Sequence, residues 1–396
     1  MLKKSLLISL LIIFILCGAG ITIITKYIYN EQSKGINFNH DIFINLLMFF
    51  AEMFGLPLLC IISHKKSKKS TRTDSDTIND EIEKNLEENE EKGINISNSK
   101  KVLYSIIPFI IDNIATFLCS MSLNYLSGSI YTMIKGITII LFTLLWSKFL
   151  LKNKHIIDHY IAIIIAAISS VFIGIELDLS QNNNTKEIIL GILVVFTAML
   201  LQSFQFIYEE YYMKKYMISQ FFMIGFEGVF GFIFNIILCF SFYYIKCDES
   251  SKFTNFFCVK DDKGIWRAEN IFFCFEQIID NKTIMILVII LIFIFGGFNI
   301  FGVSIIKYNG AVTRCLIDNF RSFVVWIYFL FPWVDVKLKE KFDWFGLIGL
   351  IFIFFAILIY FGIFKIDEKI TIRRKMKELA NNNENLVVSR ESSINE

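Results

Sequence analysis

Seven ionisable residues interrupt runs that are otherwise apolar: Glu52, Asp112, Lys135, Glu227, Arg314, Asp318 and Arg321. The runs matter because about 18 apolar residues in a helix cross the hydrocarbon layer of a bilayer. A charge held at that depth costs about 2.5 kcal/mol or more, and such residues mark solute pathways and proton relays. Arg314, Asp318 and Arg321 follow one another at i+4 and i+3, so they share a helix face and can form a charge ladder. At 1.5 Å per residue, Asp318 and Arg321 lie roughly 10–15 Å inside one end of their run, and Lys135 about 10 Å inside the opposite end of its own. Arg314, one turn in, can also snorkel to the interface as an anchor. Arg321 and Lys135 facing one cavity would attract a carboxylate or phosphate, which suits the planar guanidinium fork. The bland alternative is a self-neutralising salt-bridge network. Asp112, Glu52 and Glu227 are candidate proton carriers, with hydrogen-bonded packing groups as the alternative.

Other chemistry is thin. His155 and His159 stand one helical turn apart but lack a metalloprotease glutamate, and no metal site is expected. Glu209-Glu210 precedes Lys214-Lys215 and reads as a cytosolic helix terminus or as a carboxylate pair at a cavity mouth. No glycine-rich phosphate loop, Ser-His-Asp arrangement or CxxC pair occurs, so neither an enzyme nor a cofactor is expected. Cys17, Cys60, Cys119, Cys239 and Cys315 fall in apolar runs, as small buried residues do. Cys247, Cys258 and Cys274 share one polar stretch, where an oxidising lumen would join two of them; spacing leaves the pairing open. Sequons begin at Asn95, Asn183 and Asn281, the last too close to the membrane to be modified.

These groups need apolar helices to carry them. Ten spans are expected, at 5–25, 42–62, 102–123, 128–147, 156–175, 187–208, 220–245, 284–306, 311–333 and 343–364, with polar insertions 63–101 and 246–283 and a tail 365–396. Residues 67–100 are too polar to bury a core and read as disordered. Lysine and arginine prefer the cytosolic side, and cytosolic termini place roughly twice as many of them there as opposite. The first run passes its small residues Cys17-Gly18-Ala19-Gly20 and continues to Ile24, so it reads as an uncleaved helix rather than a signal peptide. Glu52-Met53-Phe54-Gly55 is echoed five spans later by Glu227-Gly228-Val229-Phe230-Gly231. Ser127-Gly128-Ser129-Ile130 is echoed by Asn309-Gly310-Ala311-Val312, and Asp158-His159-Tyr160 by Asp343-Trp344-Phe345. Echoes five spans apart predict two inverted halves, 1–175 and 187–364, with a substrate site at their interface.

Composition points the same way. Of 396 residues, 55% are hydrophobic, 43 are phenylalanine and only 3 are proline. The fold class is therefore an all-α polytopic membrane protein. The net charge of +2, with no basic block interleaved with aromatics, leaves no footprint for nucleic acid.

Four stretches carry a family resemblance: Pro108 to Thr116; Leu123-Asn124 through Met133-Ile134-Lys135-Gly136; Glu209-Glu210 with Glu227-Gly228-Val229-Phe230-Gly231-Phe232; and Thr313-Arg314 through Asp318-Asn319-Phe320-Arg321-Ser322 to Trp326. In that order they resemble the drug/metabolite transporter superfamily, and within it the F-subfamily of solute carrier family 35. The resemblance implies ten transmembrane helices in an inverted five-plus-five repeat and a central cavity lined by both halves. It turns Asp112, Lys135, Glu227, Asp318 and Arg321 inward, with Asn124 as a further substrate contact. The implied partners are a small-molecule metabolite and the lipid bilayer, with a homodimer left open. The implied location is an endomembrane, lysosome-, vacuole- or Golgi-like, rather than the plasma membrane. The acidic insert and the cysteine-bearing stretch depart from the compact family pattern. The leading expectation is alternating-access transport of a small anionic metabolite, proton-coupled or by antiport. Its rivals are a membrane scaffold acting through 63–101 and 246–283, and an exporter of organic cations sited on Asp112, Asp318, Glu52 and Glu227.

Overall fold

The computed structural model describes residues 4–70, 96–123, 126, 128–152, 157–175, 185–247, 258–260, 264–331, 334 and 344–362. Asn95, Asn124, His155, Asn183, most of the acidic insert and the tail 365–396 lie outside the described residues. In hydrocarbon every backbone N–H and C=O must find its partner within the chain, so the apolar runs fold as helices. These are α1 (Lys4–Asn30), α2 (Asp41–Glu52), α3 (Gly55–Ser70), α4 (Asn98–Leu123), α5 (Gly128–Trp146), α6 (Ile157–Ile175), α7 (Thr185–Lys215), α8 (Gln220–Tyr244), α9 (Ile271–Asp280), α10 (Lys282–Asn309), α11 (Ala311–Leu330) and α12 (Trp344–Tyr360). Among the described residues, seven segments are long and apolar enough to cross a membrane, and Ile157–Ser169 and Leu347–Tyr360 are shorter apolar helices. The protein is a multi-pass, mostly helical membrane protein.

Two backbone features position the site. The segment Asp41–His64 is broken between α2 and α3, directly after Glu52. Pro57 has no N–H to give the carbonyl of Met53, four residues back. Leu56 N takes that carbonyl instead, at 3.0 Å, which tightens the turn. The second feature is the crossing of α2 and α8. A Cβ at Gly228 would lie 2.6 Å from the backbone nitrogen of Met53 and 2.8 Å from Cβ of Glu52. Only glycine lets the two backbones approach so closely, the usual means of tight helix packing in lipid. Glu52 and Glu227 therefore meet where these helices cross.

The helices interlock rather than forming two separate bundles. α1 packs on α10 and α11, while α4 packs on α7 and α8. α5 packs on α6, α7 and α11; α2 packs on α8 and α10; and α6 packs on α12. Outward faces carry exposed Ile8, Leu16, Leu193, Ile237, Ile286 and Phe293, the surface that lipid covers.

The stretch 246–283, expected as a loop, is partly folded into a cap with residues 31–40. β1 (Gln32–Ser33) and β2 (Ile36–Asn37) form a hairpin whose two turn residues, Lys34 and Gly35, both have positive φ. β3 (Val259–Lys260) pairs antiparallel with β4 (Trp266–Arg267). α9 turns Ile271, Phe273, Cys274 and Gln277 inward, and this one-sided apolar pattern is why it folds as a helix. His40 sits between Glu269 Oε1, 2.5 Å from Nδ1, and Gln277 Oε1, 3.0 Å from Nε2. Gln277 Nε2 donates to the carbonyls of Ser33 and Ile36, which fixes its amide and ties the hairpin to α9. Asn281 is occupied as the N-cap of α10, accepting from Thr283 N at 2.9 Å and donating to Gln32 O at 3.1 Å.

Candidate functional site

Four acidic side chains converge on Arg314. Glu52, the last residue of α2, accepts a 2.8 Å hydrogen bond from Asn299 Nδ2 on α10. Gln205 on α7 donates through Nε2 to Glu209 Oε1 and to Glu227 Oε1, each at 3.0 Å. Arg314, on the first turn of α11, lies with its guanidinium carbon 4.1 Å from the Phe206 ring centroid, against the bare face of Gly302. Its Nη1 stands 3.9 Å from Glu209 Oε2, an ion pair too long for a hydrogen bond. Glu52, Asp112, Glu209 and Glu227 all lie within electrostatic range of one another and of Arg314. Lys135 reaches the cluster through Asp112.

Charge and hydrogen-bond accounting leave this cluster incomplete. Arg314 and Lys135 supply two positive charges against four carboxylates. Two carboxylates, Glu52 and Glu227, accept from neutral amides rather than from a cation. Glu52 Oε2, Glu227 Oε2 and Gln205 Oε1 are buried without a partner. Each such atom left without a partner would cost about 1–3 kcal/mol, so the point suits a water, a proton or a polar solute. Among the described residues, no group of three His, Cys, Asp or Glu is set to hold a metal.

The expected ladder on α11 divides. Arg314 does not snorkel: it is 8% exposed, because Glu209 and Phe206 hold it inward. Asp318 instead pairs with Arg321, at 3.3 Å from Oδ1 to Nε. Arg321 lies over the Phe298 ring, and its Cδ fills the space beside Gly18 on α1. Lys135 Nζ stands 5.7 Å from the Tyr131 ring centroid, and Asn319 Nδ2 donates to Gly136 O, joining α11 to α5. Of the candidates read from sequence, Glu52, Asp112 and Glu227 come together with Lys135 at their edge. Asp318 and Arg321 form a separate pair. The adjacent glutamates also separate. Glu209 turns to Arg314, whereas Glu210 accepts from Ala311 N at 2.7 Å and Lys214 Nζ at 2.6 Å, capping the N-terminus of α11.

Gln205 and Asn299 were not among the sequence candidates, while Arg314 stood between an anchor and a ladder charge and Glu209 between a helix terminus and a cavity mouth. The available signal was a neutral amide within an apolar run, which lipid disfavours unless it has a partner. The same signal marks Asn113, Asn235 and Asn45, linked by bonds of 2.9 and 3.2 Å across three helices. Among the cap cysteines, Cys247 and Cys258 are joined in a disulfide. Cys274 is free, and burial, with Glu269 and Cys239 nearby, pushes its thiol well above the usual range, which keeps it inert.

The comparisons with known proteins agree with this architecture. Solute carrier family 35 member F6 of Homo sapiens is 27% identical over 222 residues, 55% of this chain and 57% of the relative. Its counterpart in Rattus norvegicus is 27% identical over 226 residues, 56% and 58% of the two chains. An uncharacterised protein of Schizosaccharomyces pombe is 24% identical over 267 residues, 67% of this chain and 76% of its own. The chain thus spans a little over half the length of the solute carrier relatives it matches. One solved crystal structure superposes with a TM-score of 0.53 over 90% of this chain and 96% of its own at 10% identity, a likeness of fold alone. A family profile described as purine nucleobase transmembrane transport matches residues 6–245. That match covers more than half of the chain, and the protein belongs to this family of the drug/metabolite transporter superfamily, a family of transporters and not of enzymes.

Proposed function

We propose that the chain is a secondary transporter that moves a small metabolite across an endomembrane by alternating access, with protons as the coupling ion. The observation that carries this reading is the cluster beside the crossing of α2 and α8, in which buried Glu52, Glu209 and Glu227 and half-buried Asp112 share two positive charges. A buried carboxylate that has no cation of its own is a place where a proton can bind, and a proton site inside a membrane is a candidate for coupled exchange. Ten helices in an inverted five-plus-five repeat are part of the proposal. The packing supports it, because the contact of the first span with the eighth (α1 on α10) is mirrored by the contact of the sixth with the third (α7 on α4). The repeat's equivalent spans two and seven pack on each other, as do five and ten. The break at Pro57 beside Glu52 fits the discontinuous helices found at transporter sites.

The solute is read as anionic, with Lys135 and Arg321 drawing its charge and the carboxylates handling protons. A second reading has a specific observation behind it. Among the described residues no acceptor bonds the Arg314 fork, and besides Glu209 Oε2 three acceptor oxygens of the same cluster lack a hydrogen-bond partner. That mixture of donors and acceptors suits a neutral, nitrogen-rich ring, in keeping with the family's description. One chain carries the whole cluster, so a homodimer would add no group to it.

Uptake by the reconstituted full chain under a pH gradient imposed in either direction tests the proposal, with radiolabelled organic anions, purine bases and amines as probes. Gradient-driven uptake that is lost in Arg321→Ala but kept when residues 71–95 are deleted supports the anion reading. Uptake of purine bases alone, unmoved by Arg321→Ala, selects the second. A protein that takes up none of the probes, yet loses partner binding when that insert is removed, is the scaffold instead.

A further inference from the structure

Gln205 lies at the one point in the cluster where an orphaned acceptor and two carboxylates belong to the same rigid amide. Its Nε2 is committed to Glu209 and Glu227 at 3.0 Å each, which fixes which end of the amide is nitrogen. Its Oε1 has no partner, although the residue is only 4% exposed. The two glutamates differ. Glu209 stands 3.9 Å from Arg314, whereas among the described residues Glu227 makes no ion pair and takes its hydrogen bond from the amide. The amide therefore bridges a carboxylate suited to stay ionised and one suited to carry a proton.

Resting on the transport reading above, we infer that Gln205 is the residue that couples solute to proton, its Oε1 accepting a hydrogen bond from an N–H of the bound solute. An amide that accepts at oxygen donates more strongly at nitrogen, because hydrogen bonds in a chain polarise one another. Solute binding then strengthens the Nε2 bond to Glu227, which favours its ionised form. The O–H bond of Glu227 breaks, the proton leaves to water on the open side, and the electron pair remains on the carboxylate. Proton release and solute binding become linked, which is the requirement for antiport. Gln205 acts through Glu227 and is a positioning residue for the proton as well as a solute contact. The solute class follows: it presents an N–H donor, and one that offers only acceptors binds without releasing the proton.

The test uses the full chain in liposomes loaded with a pH-sensitive dye, with radiolabelled adenine as the N–H-bearing probe. Adenine counterflow and adenine-evoked proton release are both recorded. Wild type should show both. Gln205→Met should keep counterflow with KM raised about tenfold, the loss of one hydrogen bond, while proton release falls to background, as it does in Glu227→Gln. Gln205→Asn keeps the amide but withdraws it, and gives the same result should the methionine variant fail to fold. Proton release at the wild-type ratio in either Gln205 variant overturns the inference while leaving transport intact. A wild type that shows no counterflow of adenine overturns the inference; counterflow of organic anions in the same liposomes then leaves the transport reading standing, and its absence as well overturns both.

Discussion

The molecule contains two buried polar networks, and they are built on opposite principles. In the cap, His40, Glu269 and Gln277 match donors to acceptors, and none of the three has an orphaned buried atom. In the membrane, Glu52, Glu227 and Gln205 each leave an acceptor unmatched. A satisfied network rigidifies its surroundings, whereas an unsatisfied one in a low dielectric is costly and persists only where something else uses it. The cap fastens the ends of α1, α8 and α10, and two of these helices, α8 and α10, carry Glu227 and Asn299 of the cluster. The difference separates a polar group that holds the fold from one that the fold holds ready.

Substitutions that break each network sharpen the contrast. The largest loss of stability is expected in the cap. Glu269→Ala leaves His40 Nδ1 and Asn270 N buried without their shared partner, and thermal unfolding should show a loss of about 1–3 kcal/mol for each. Reducing the disulfide, or replacing Cys247 with Ser, should lower stability by about 2–4 kcal/mol, with transport at physiological temperature unchanged. Between the two networks lies the α2–α8 crossing. Gly228→Val forces side-chain atoms into the Met53 backbone and should cost about 1–3 kcal/mol of overpacking while slowing transport. The smallest change in stability is expected in the cluster. Glu52→Gln and Glu227→Gln keep shape and the accepting oxygen, so unfolding should move by less than about 1 kcal/mol, while uptake driven by a pH gradient falls to background. If Glu227→Gln unfolds the protein and spares uptake, the contrast between the networks is wrong.

Much of the architecture was legible before any coordinates. The helical runs, their order and the placement of Glu52, Asp112 and Glu227 within them follow from apolar run length and from the cost of charge in lipid. The echo of Glu52-Met53-Phe54-Gly55 in Glu227-Gly228-Val229-Phe230-Gly231 pointed to the pair that the crossing brings together. Arg314 was harder. A residue one turn from the end of a span reads as an anchor, because depth along a helix is visible in sequence while the direction a side chain faces is not. Gln205 and Asn299 carry no charge, so nothing in their residue type sets them apart from other polar packing groups in an apolar run. The cap was hidden for another reason: His40 and Glu269 are 229 positions apart, and no local pattern joins them.

The sequence by itself determined that this chain spans a membrane many times and that its apolar helices carry carboxylates at depth, because lipid tests every residue against one apolar solvent. Only the tertiary structure decided which charges meet. It separated Arg314 from Asp318, divided Glu209 from Glu210, and placed one glutamine between two carboxylates. Those choices depend on the rotation of each helix about its axis and on where glycine allows two backbones to touch, and both are settled by packing between segments far apart in the chain.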